Sequence, residues 1–356
     1  MHIDNVEINQ SNRPYMIAEL SANHGGSYDR AVKTIKAAKD AGADAVKIQS
    51  YTADSMTLNS DRDDFIIQSG LWNGWRLHDL YAEAHTPYAW HRGLFDYAKQ
   101  IGITLFSSPF DEEAADILEN LDCPAFKIAS FEIVDLPLIR HVARKGRPVL
   151  ISTGMASLDE IGAAVECCRS VGNSDILLFH CVSSYPASVA EANLSNLRYL
   201  KDVFNVEIGL SDHTITNFVA SLAVGLGASA IEKHFQLDDS VPGPDSSFSV
   251  NPIQFSSLVD ECRLARVAVG SKWIDRSDAE KDNLKFRRSL YFVKNLKAGA
   301  VLGPGDIRRV RPGYGLDPRY LEEIIGHRLL RDVTFGEAVT WDAIEDNVFL
   351  SRSEER

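Results

Sequence analysis

Short runs of β-branched and apolar residues recur along roughly the first two thirds of the chain. Between them lie segments with helical spacing of apolar residues, such as 27–43 and 157–172, which have glycine at or near their ends. The apolar runs are residues 14–20, 44–50, 103–109, 125–130, 148–153, 176–183, 206–212 and 230–235. Because these runs are apolar on both faces and alternate with helices, they predict an α/β fold, a parallel (β/α)8 TIM barrel rather than an open sheet.

The pattern changes twice along the chain. The interval 51–88 is too long for one loop, so we expect short helices within it. Residues 271–285 are polar, and the remaining chain has short strand patterns broken by Gly and Pro. We therefore predict a barrel domain at 1–270, a linker at 271–285 and a small, mostly β domain at 286–356.

Composition narrows the classes of function. The 356 residues are 45% apolar and 24% charged, and the net charge of −13 argues against nucleic acid or an anionic membrane as a partner. No apolar run approaches the 18 or so residues of a membrane span, and the N-terminus lacks signal-peptide features, so we expect a cytoplasmic protein. The five cysteines form no Cys-x-x-Cys pair and are expected to be core residues.

Polar residues cluster at the predicted carboxyl ends of the strands, which converge on one mouth in a barrel. They are Glu19, Lys47, Gln49, Ser107, Ser108, Lys127, Ser130, Glu132, Ser152, Ser183, Tyr185, Ser211, His213 and His234. A single strand-end serine is more often a helix cap. However, Lys47 and Lys127 are each flanked by apolar strand residues, and an ammonium group there needs an anion. Together with the serines, they predict a phosphate or carboxylate pocket.

His213 and His234 are predicted to end adjacent strands. Neighbouring strands lie about 4.8 Å apart, so both imidazoles can reach one ion. Water or substrate at the remaining positions would give an open site suited to Mn²⁺, Mg²⁺, Co²⁺ or Zn²⁺. Spacing alone leaves two core histidines as an equal alternative.

The chain resembles the N-acylneuraminate synthase family, and its tail resembles the antifreeze-like (SAF, β-clip) domain of that family. The resemblance rests on AELSANHGGS, VKIQSY, SSPFDEEAADIL, AFKIASFEI, LISTGMA, FHCVSSYP, IGLSDHT, GASAIEKHF and PGPDSSFS, in this order. It implies a transferase that condenses phosphoenolpyruvate with an amino-sugar aldehyde, giving a nonulosonic acid and phosphate, with a divalent metal ion (Mn²⁺, Mg²⁺ or Co²⁺).

The resemblance also implies roles for individual residues. His213 and His234 would bind the metal; Lys47, Lys127, Ser130, Ser152 and Ser211 would surround phosphoenolpyruvate; Glu19, Gln49, Tyr185 and Asp245 would face the sugar. Ser108 and Ser183 depart from the usual threonine and asparagine. Arg311 would reach the barrel mouth of the other protomer, which implies a homodimer with exchanged C-terminal domains. Glu19 and Glu132 both remain candidates for handling the attacking water.

The serine of SANHGGS and the 51–88 insertion resemble the subgroup whose members make pseudaminic acid from 2,4-diacetamido-2,4,6-trideoxy-altrose. Legionaminic acid or N-acetylneuraminic acid synthesis is the alternative. We expect Phe65 or Trp72 to line the side of the sugar that carries a methyl group. A metal-dependent aldolase and a non-catalytic sugar- or ice-binding protein are rivals from other classes, although neither explains two lysines and two histidines at one mouth.

Overall fold

The computed structural model describes residues 1–238, 240, 243–270 and 276–345. The chain divides into two compact units, Met1–Ser271 and Lys272–Arg356. Residues 271–275 of the predicted linker and 346–356 of the predicted C-terminal domain lie outside the described residues.

A closed parallel barrel forms the first unit, after a short antiparallel hairpin of β1 (His2–Ile3) and β2 (Val6–Glu7). Within the described residues the barrel strands are β3 (Tyr15–Glu19), β4 (Ala45–Ser50), β5 (Thr104–Pro109), β6 (Phe126–Ile128), β7 (Val149–Ser152), β8 (Ile176–Cys181), β9 (Glu207–Asp212) and β10 (Ala230–His234). Because β10 pairs with both β9 and β3, the sheet closes on itself. The predicted (β/α)8 fold is confirmed.

Helices follow the strands in the alternation that the sequence predicts. They are α1 (Tyr28–Asp40), α2 (Ala53–Met56), α3 (Leu77–Ala84), α4 (Tyr88–Ile101), α5 (Glu112–Glu119), α6 (Leu136–Ala143), α7 (Leu158–Ser170), α8 (Ser195–Phe204), α9 (Phe218–Gly225) and α10 (Pro252–Val269). Their ends carry local signals, including a capping box of Ser157 and Glu160 at α7 and a left-handed Gly102 after α4. Helices α2 and α3 lie within the 51–88 interval, as expected.

Apolar side chains from the barrel strands and from the inward faces of the helices form one continuous core. The five cysteines are buried and free, in agreement with their predicted role as core residues. Within the described residues, no helix is both long enough and apolar enough to cross a membrane.

The second unit has its own small core and is built mainly from short extended segments. It contains α11 (Asp278–Lys281), an antiparallel pair of β11 (Ser289–Phe292) and β12 (Ile307–Val310), and α12 (Leu321–Ile324). Isolated bridges such as Leu296 to Val333 connect the remaining segments. The core residues are Leu290, Phe292, Leu302, Ile307, Ile324, Leu329, Val333, Val339, Ala343 and Ile344.

Candidate active site

Strand register aligns the polar side chains of the first unit in two layers. Ser211 of β9 lies opposite Glu232 of β10, and His234 lies opposite Glu19 of β3. Because side chains alternate along a strand, Ser211 and His213 share one face, as do Glu232 and His234. This is the barrel interior, since Glu232 contacts lysines from β4 and β6, which are not its neighbours in the sheet.

The deeper layer is a charge cluster of Lys47, Lys127, Ser211 and Glu232. Lys47 Nζ lies 3.0 Å from Glu232 Oε1, and Lys127 Nζ lies 2.9 and 3.0 Å from the two carboxylate oxygens. Ser211 Oγ donates to Oε1 at 3.0 Å. None of the four residues is more than 5% exposed. Burial alone would raise the pKa of Glu232, but the two ammonium groups outweigh it and hold this pKa well below its usual range.

Glu232 is the residue that our sequence analysis missed. The two lysines do pair with an anion, as predicted, but this anion is Glu232 of the chain itself. A signal was present: Glu232 stands in the apolar strand run and precedes His234 by two residues, so it shares the inner face. A buried carboxylate needs a partner as much as a buried ammonium group does, so Glu232 in an apolar strand predicts a cation nearby.

The histidine pair lies at the carboxyl ends of β9 and β10, with ring centroids 5.6 Å apart. His213 Nδ1 donates to Val182 O at 2.8 Å, which leaves Nε2 with its lone pair. The buried Nδ1 of His234 has no hydrogen-bond partner within the described residues, and Asp245 Oδ2 lies 3.7 Å away.

Burial lowers the pKa of both imidazoles, for His234 well below the usual value. Neutral imidazoles with a free ring nitrogen are the form that binds metals, so the pair fits a divalent ion. Among the described residues, no group of three or more His, Cys, Asp or Glu side chains is arranged to hold a metal.

Aromatic rings line the mouth above the histidines. The Tyr185 ring lies 4.4 Å from His213 and 5.1 Å from Phe248, centroid to centroid. Trp72, from the 51–88 insertion, lies 6.1 Å from Tyr185 and donates through Nε1 to Pro244 O at 3.2 Å. Of the two insertion residues that we expected beside the substrate, Trp72 is therefore next to Tyr185. Phe65 shows no ring contact with the site within the described residues.

Polar groups on the opposite side of the mouth connect β3, β4 and the loop after β10. Gln49 Nε2 donates to Glu19 Oε1 at 2.8 Å and to Ser21 Oγ at 3.0 Å. Glu19 Oε2 lies 3.4 Å from Lys47 Nζ, which joins this group to the charge cluster. Burial raises the pKa of Glu19, although Lys47 opposes the rise, and burial also raises the pKa of Asp245.

The remaining predicted serines lie along β5 to β8. Ser130 Oγ and Ser183 Oγ are 2.8 Å apart. Burial raises the pKa of the Cys181 thiol, and Lys127, Ser183 and Ser152 oppose this rise, so these three residues surround the thiol. Ser108 is buried, and its Oγ has no partner within the described residues.

The two remaining predicted residues are Glu132 and Arg311. Glu132 lies in the turn after β6, where burial raises its pKa to about 7, and the described contacts do not link it to Glu232. Arg311 follows β12 in the second unit and is exposed. Its predicted role at a neighbouring mouth stays a prediction.

Comparison with known proteins gives consistent matches. Residues 34–273 match the NeuB family and residues 287–345 match the SAF domain. The chain is 44% identical over 331 residues to the pseudaminic acid synthase of Campylobacter jejuni subsp. jejuni, covering 93% of this chain and 96% of that one. It is 43% identical over 334 residues to the pseudaminic acid synthase of Helicobacter pylori, covering 93% and 98%.

A more distant relative and a solved structure also match this chain. The N,N'-diacetyllegionaminic acid synthase of Legionella pneumophila is 35% identical over 336 residues, covering 93% of this chain and 94% of that one. The crystal structure of N-acetylneuraminic acid synthetase from Leptospira borgpetersenii, in complex with citrate, superposes with a TM-score of 0.72 at 30% identity, covering 80% of this chain and 94% of that one.

Proposed function

This chain belongs to the NeuB family, and we propose that it condenses phosphoenolpyruvate with 2,4-diacetamido-2,4,6-trideoxy-β-L-altropyranose. The sugar reacts as its open-chain aldehyde, and the products are pseudaminic acid and phosphate. The observation that carries the proposal is the greater identity to pseudaminic acid synthases than to a legionaminic acid synthase, at equal coverage of this chain.

The charge cluster suits one of the two substrates. Phosphoenolpyruvate carries a phosphate and a carboxylate, and Lys47 and Lys127 offer ammonium groups beside the hydroxyls of Ser130, Ser152 and Ser183. Glu232 holds both lysines in fixed positions, so little reorganisation is needed when the anion binds. The buried hydroxyl of Ser108 has no partner among the described residues, so it can hydrogen-bond to the same anion.

His213 and His234 would hold a divalent ion, Mn²⁺, Mg²⁺ or Co²⁺, and this ion would polarise the aldehyde of the sugar. Val182 O fixes the tautomer of His213, so its Nε2 faces away from the backbone with a lone pair. Burial keeps both rings neutral at physiological pH. On this basis the histidine pair would hold the ion that polarises the sugar aldehyde, and the lysines would bind the phosphate of phosphoenolpyruvate.

The reaction forms one carbon–carbon bond and breaks one carbon–oxygen bond. C3 of phosphoenolpyruvate attacks the aldehyde carbon, and the resulting alkoxide takes a proton. Water then adds to the oxocarbenium ion at C2, and the tetrahedral intermediate collapses by C–O cleavage and releases phosphate. Glu19 and Glu132 both have raised pKa values, so each can accept a proton from the water near neutral pH. Glu19 is favoured because it contacts Gln49 and lies near Lys47.

The test is phosphate release from phosphoenolpyruvate, measured with the diacetamido sugar, its legionaminic-type isomer and N-acetylmannosamine. We expect turnover with the first sugar, loss of turnover after exhaustive chelation, and recovery with Mn²⁺ or Co²⁺. His213→Ala should be inactive and folded. Equal turnover of N-acetylmannosamine would contradict the sugar assignment, and full activity after chelation would contradict the metal assignment. An aldolase or a sugar-binding protein would release no phosphate.

We also propose a homodimer in which Arg311 of one protomer completes the barrel mouth of the other. The test mixes two inactive full-length chains, Arg311→Ala and His213→Ala. If Arg311 acts in the other protomer, each mixed dimer contains one complete site, and random mixing restores at most roughly a quarter of native activity. If Arg311 acts within its own chain, mixing restores nothing, even where mass spectrometry detects mixed dimers.

A further inference from the structure

Ser21 has an unusual backbone conformation for its residue type. It lies two residues after the end of β3 with φ +47°, in the left-handed region, where a side chain clashes with the backbone and glycine is favoured. Within the described residues, the other non-glycine residues with positive φ are Asp or Asn, which tolerate this region, and all of them are exposed. They are Asp4, Asp122, Asn193 and Asn205. Ser21 is only 5% exposed.

The hydroxyl of Ser21 connects three segments of the barrel mouth. It accepts from Gln49 Nε2 at 3.0 Å, and the same nitrogen donates to Glu19 Oε1 at 2.8 Å. Burial raises the pKa of the Asp245 carboxyl group, and nearby Ser21 and the backbone N–H of Ala22 oppose this rise. The hydroxyl therefore holds Gln49 of β4 against the end of β3 and lies near Asp245 in the loop after β10.

Strained backbone persists where the surrounding structure requires it, and such positions cluster at functional sites. Glycine at position 21 would remove the strain but would also remove the hydroxyl. Since a serine stands at a buried position where the backbone favours glycine, its hydroxyl has a use that outweighs the strain.

We propose that Ser21 is a positioning residue, which aligns the Gln49 amide and the Asp245 carboxyl group for the sugar substrate. This inference rests on the proposed function and on the family resemblance, which implies that Gln49 and Asp245 face the sugar. The hydroxyl makes no direct described contact with the charge cluster, so we expect its effect to be larger for the sugar than for phosphoenolpyruvate.

The first experiment compares Ser21→Gly with the native chain in steady-state kinetics and thermal unfolding. Removing one of the two acceptors of the Gln49 amide should lower kcat/KM for the sugar by about tenfold. KM for phosphoenolpyruvate should stay within about twofold of native. The melting temperature should equal or exceed the native value, because glycine relieves the strain. Ser21→Ala should show the same kinetic loss with a lower melting temperature than Ser21→Gly.

Asn205→Gly is the matched control, because Asn205 has φ +50° in an exposed position after α8. It introduces glycine at a similar φ away from the site, so its kinetics should be native. A second readout is the double variant Ser21→Gly with Gln49→Ala. If Ser21 acts through Gln49, the double variant should lose little more than Gln49→Ala alone.

Native kinetics in Ser21→Gly, an equal loss for both substrates, or fully additive losses in the double variant would each overturn the inference. These outcomes leave the proposed function standing, because the native chain still turns over the diacetamido sugar. If the native chain itself releases no phosphate with that sugar, both the proposed function and this inference are wrong.

Discussion

Removing the carboxylate of Glu232 should destabilise the barrel strongly. Glu232→Gln keeps the shape of the side chain but leaves Lys47 and Lys127 buried without the anion that lies 2.9 to 3.0 Å from them. Breaking a buried ion pair costs about 3–5 kcal/mol. One carboxylate serves two ammonium groups here, but Lys47 keeps Glu19 at 3.4 Å, so we expect a loss within that range at pH 7.

The loss should shrink as the pH rises. Burial lowers the pKa of Lys127, and without Glu232 this pKa falls further below its value in the unfolded chain. The unfolded variant then binds more protons than the folded one, so its stability increases with pH until the lysine is neutral in both states. The difference from the native chain should therefore be smaller at pH 9 than at pH 7.

Equilibrium unfolding in urea at both pH values measures the effect. Glu166→Gln is the control, because Glu166 lies on α7 and is exposed. It should change the free energy of unfolding by less than about 0.5 kcal/mol. A loss in Glu232→Gln below about 1 kcal/mol, or one that grows from pH 7 to pH 9, would show that the two lysines do not depend on this carboxylate.

Three further predictions concern other groups. Burial raises the pKa of Glu132 to about 7, so its ionisation reduces the stability of the folded chain as the pH rises from roughly 4.5 to 7. Urea unfolding should therefore show Glu132→Gln about 2–3 kcal/mol more stable than the native chain at pH 8, but not at pH 4. Trp72→Ala should raise KM for the sugar about tenfold while Phe65→Ala stays near native, in the phosphate-release assay. Asp212→Asn should lose about 3–5 kcal/mol, measured by thermal and urea unfolding, because Lys233 is buried and lies 2.6 Å from Asp212.

The sequence predicts the fold well because two local signals coincide. Apolar runs on both faces specify buried parallel strands, and the glycine-ended helical segments between them specify crossovers. The main differences are at strand ends, where the predicted run 125–130 gives only Phe126–Ile128. Residues 129 and 130 leave the sheet, and Ser130 bonds to Ser183 instead. Local hydrophobicity does not distinguish a residue that stays in the strand from one that leaves the sheet.

The site was predictable only where a residue type conflicts with its surroundings. Lysines in apolar strands indicate a buried charge, but the sequence alone does not identify the anion that pairs with them. The partner, Glu232, lies 185 residues from Lys47 and 105 from Lys127 along the chain, so no local pattern connects them. The left-handed backbone of Ser21 is likewise set by tertiary contacts, since its residue type does not favour that conformation.

The pairing of β9 with β10 explains why ionic residues occupy both faces of these strands. Ser211 pairs with Glu232, and the next residues, Asp212 and Lys233, pair with each other. Because side chains alternate, this second pair points away from the interior, where it is at most 3% exposed and joined at 2.6 Å. A register slip of one residue would turn Lys233 into the barrel and His234 out of it. It would also separate Lys233 from Asp212 and leave both charges buried and unpaired. The Asp212–Lys233 ion pair therefore disfavours the register slip that would separate His234 from His213, although we assign it no role in the reaction.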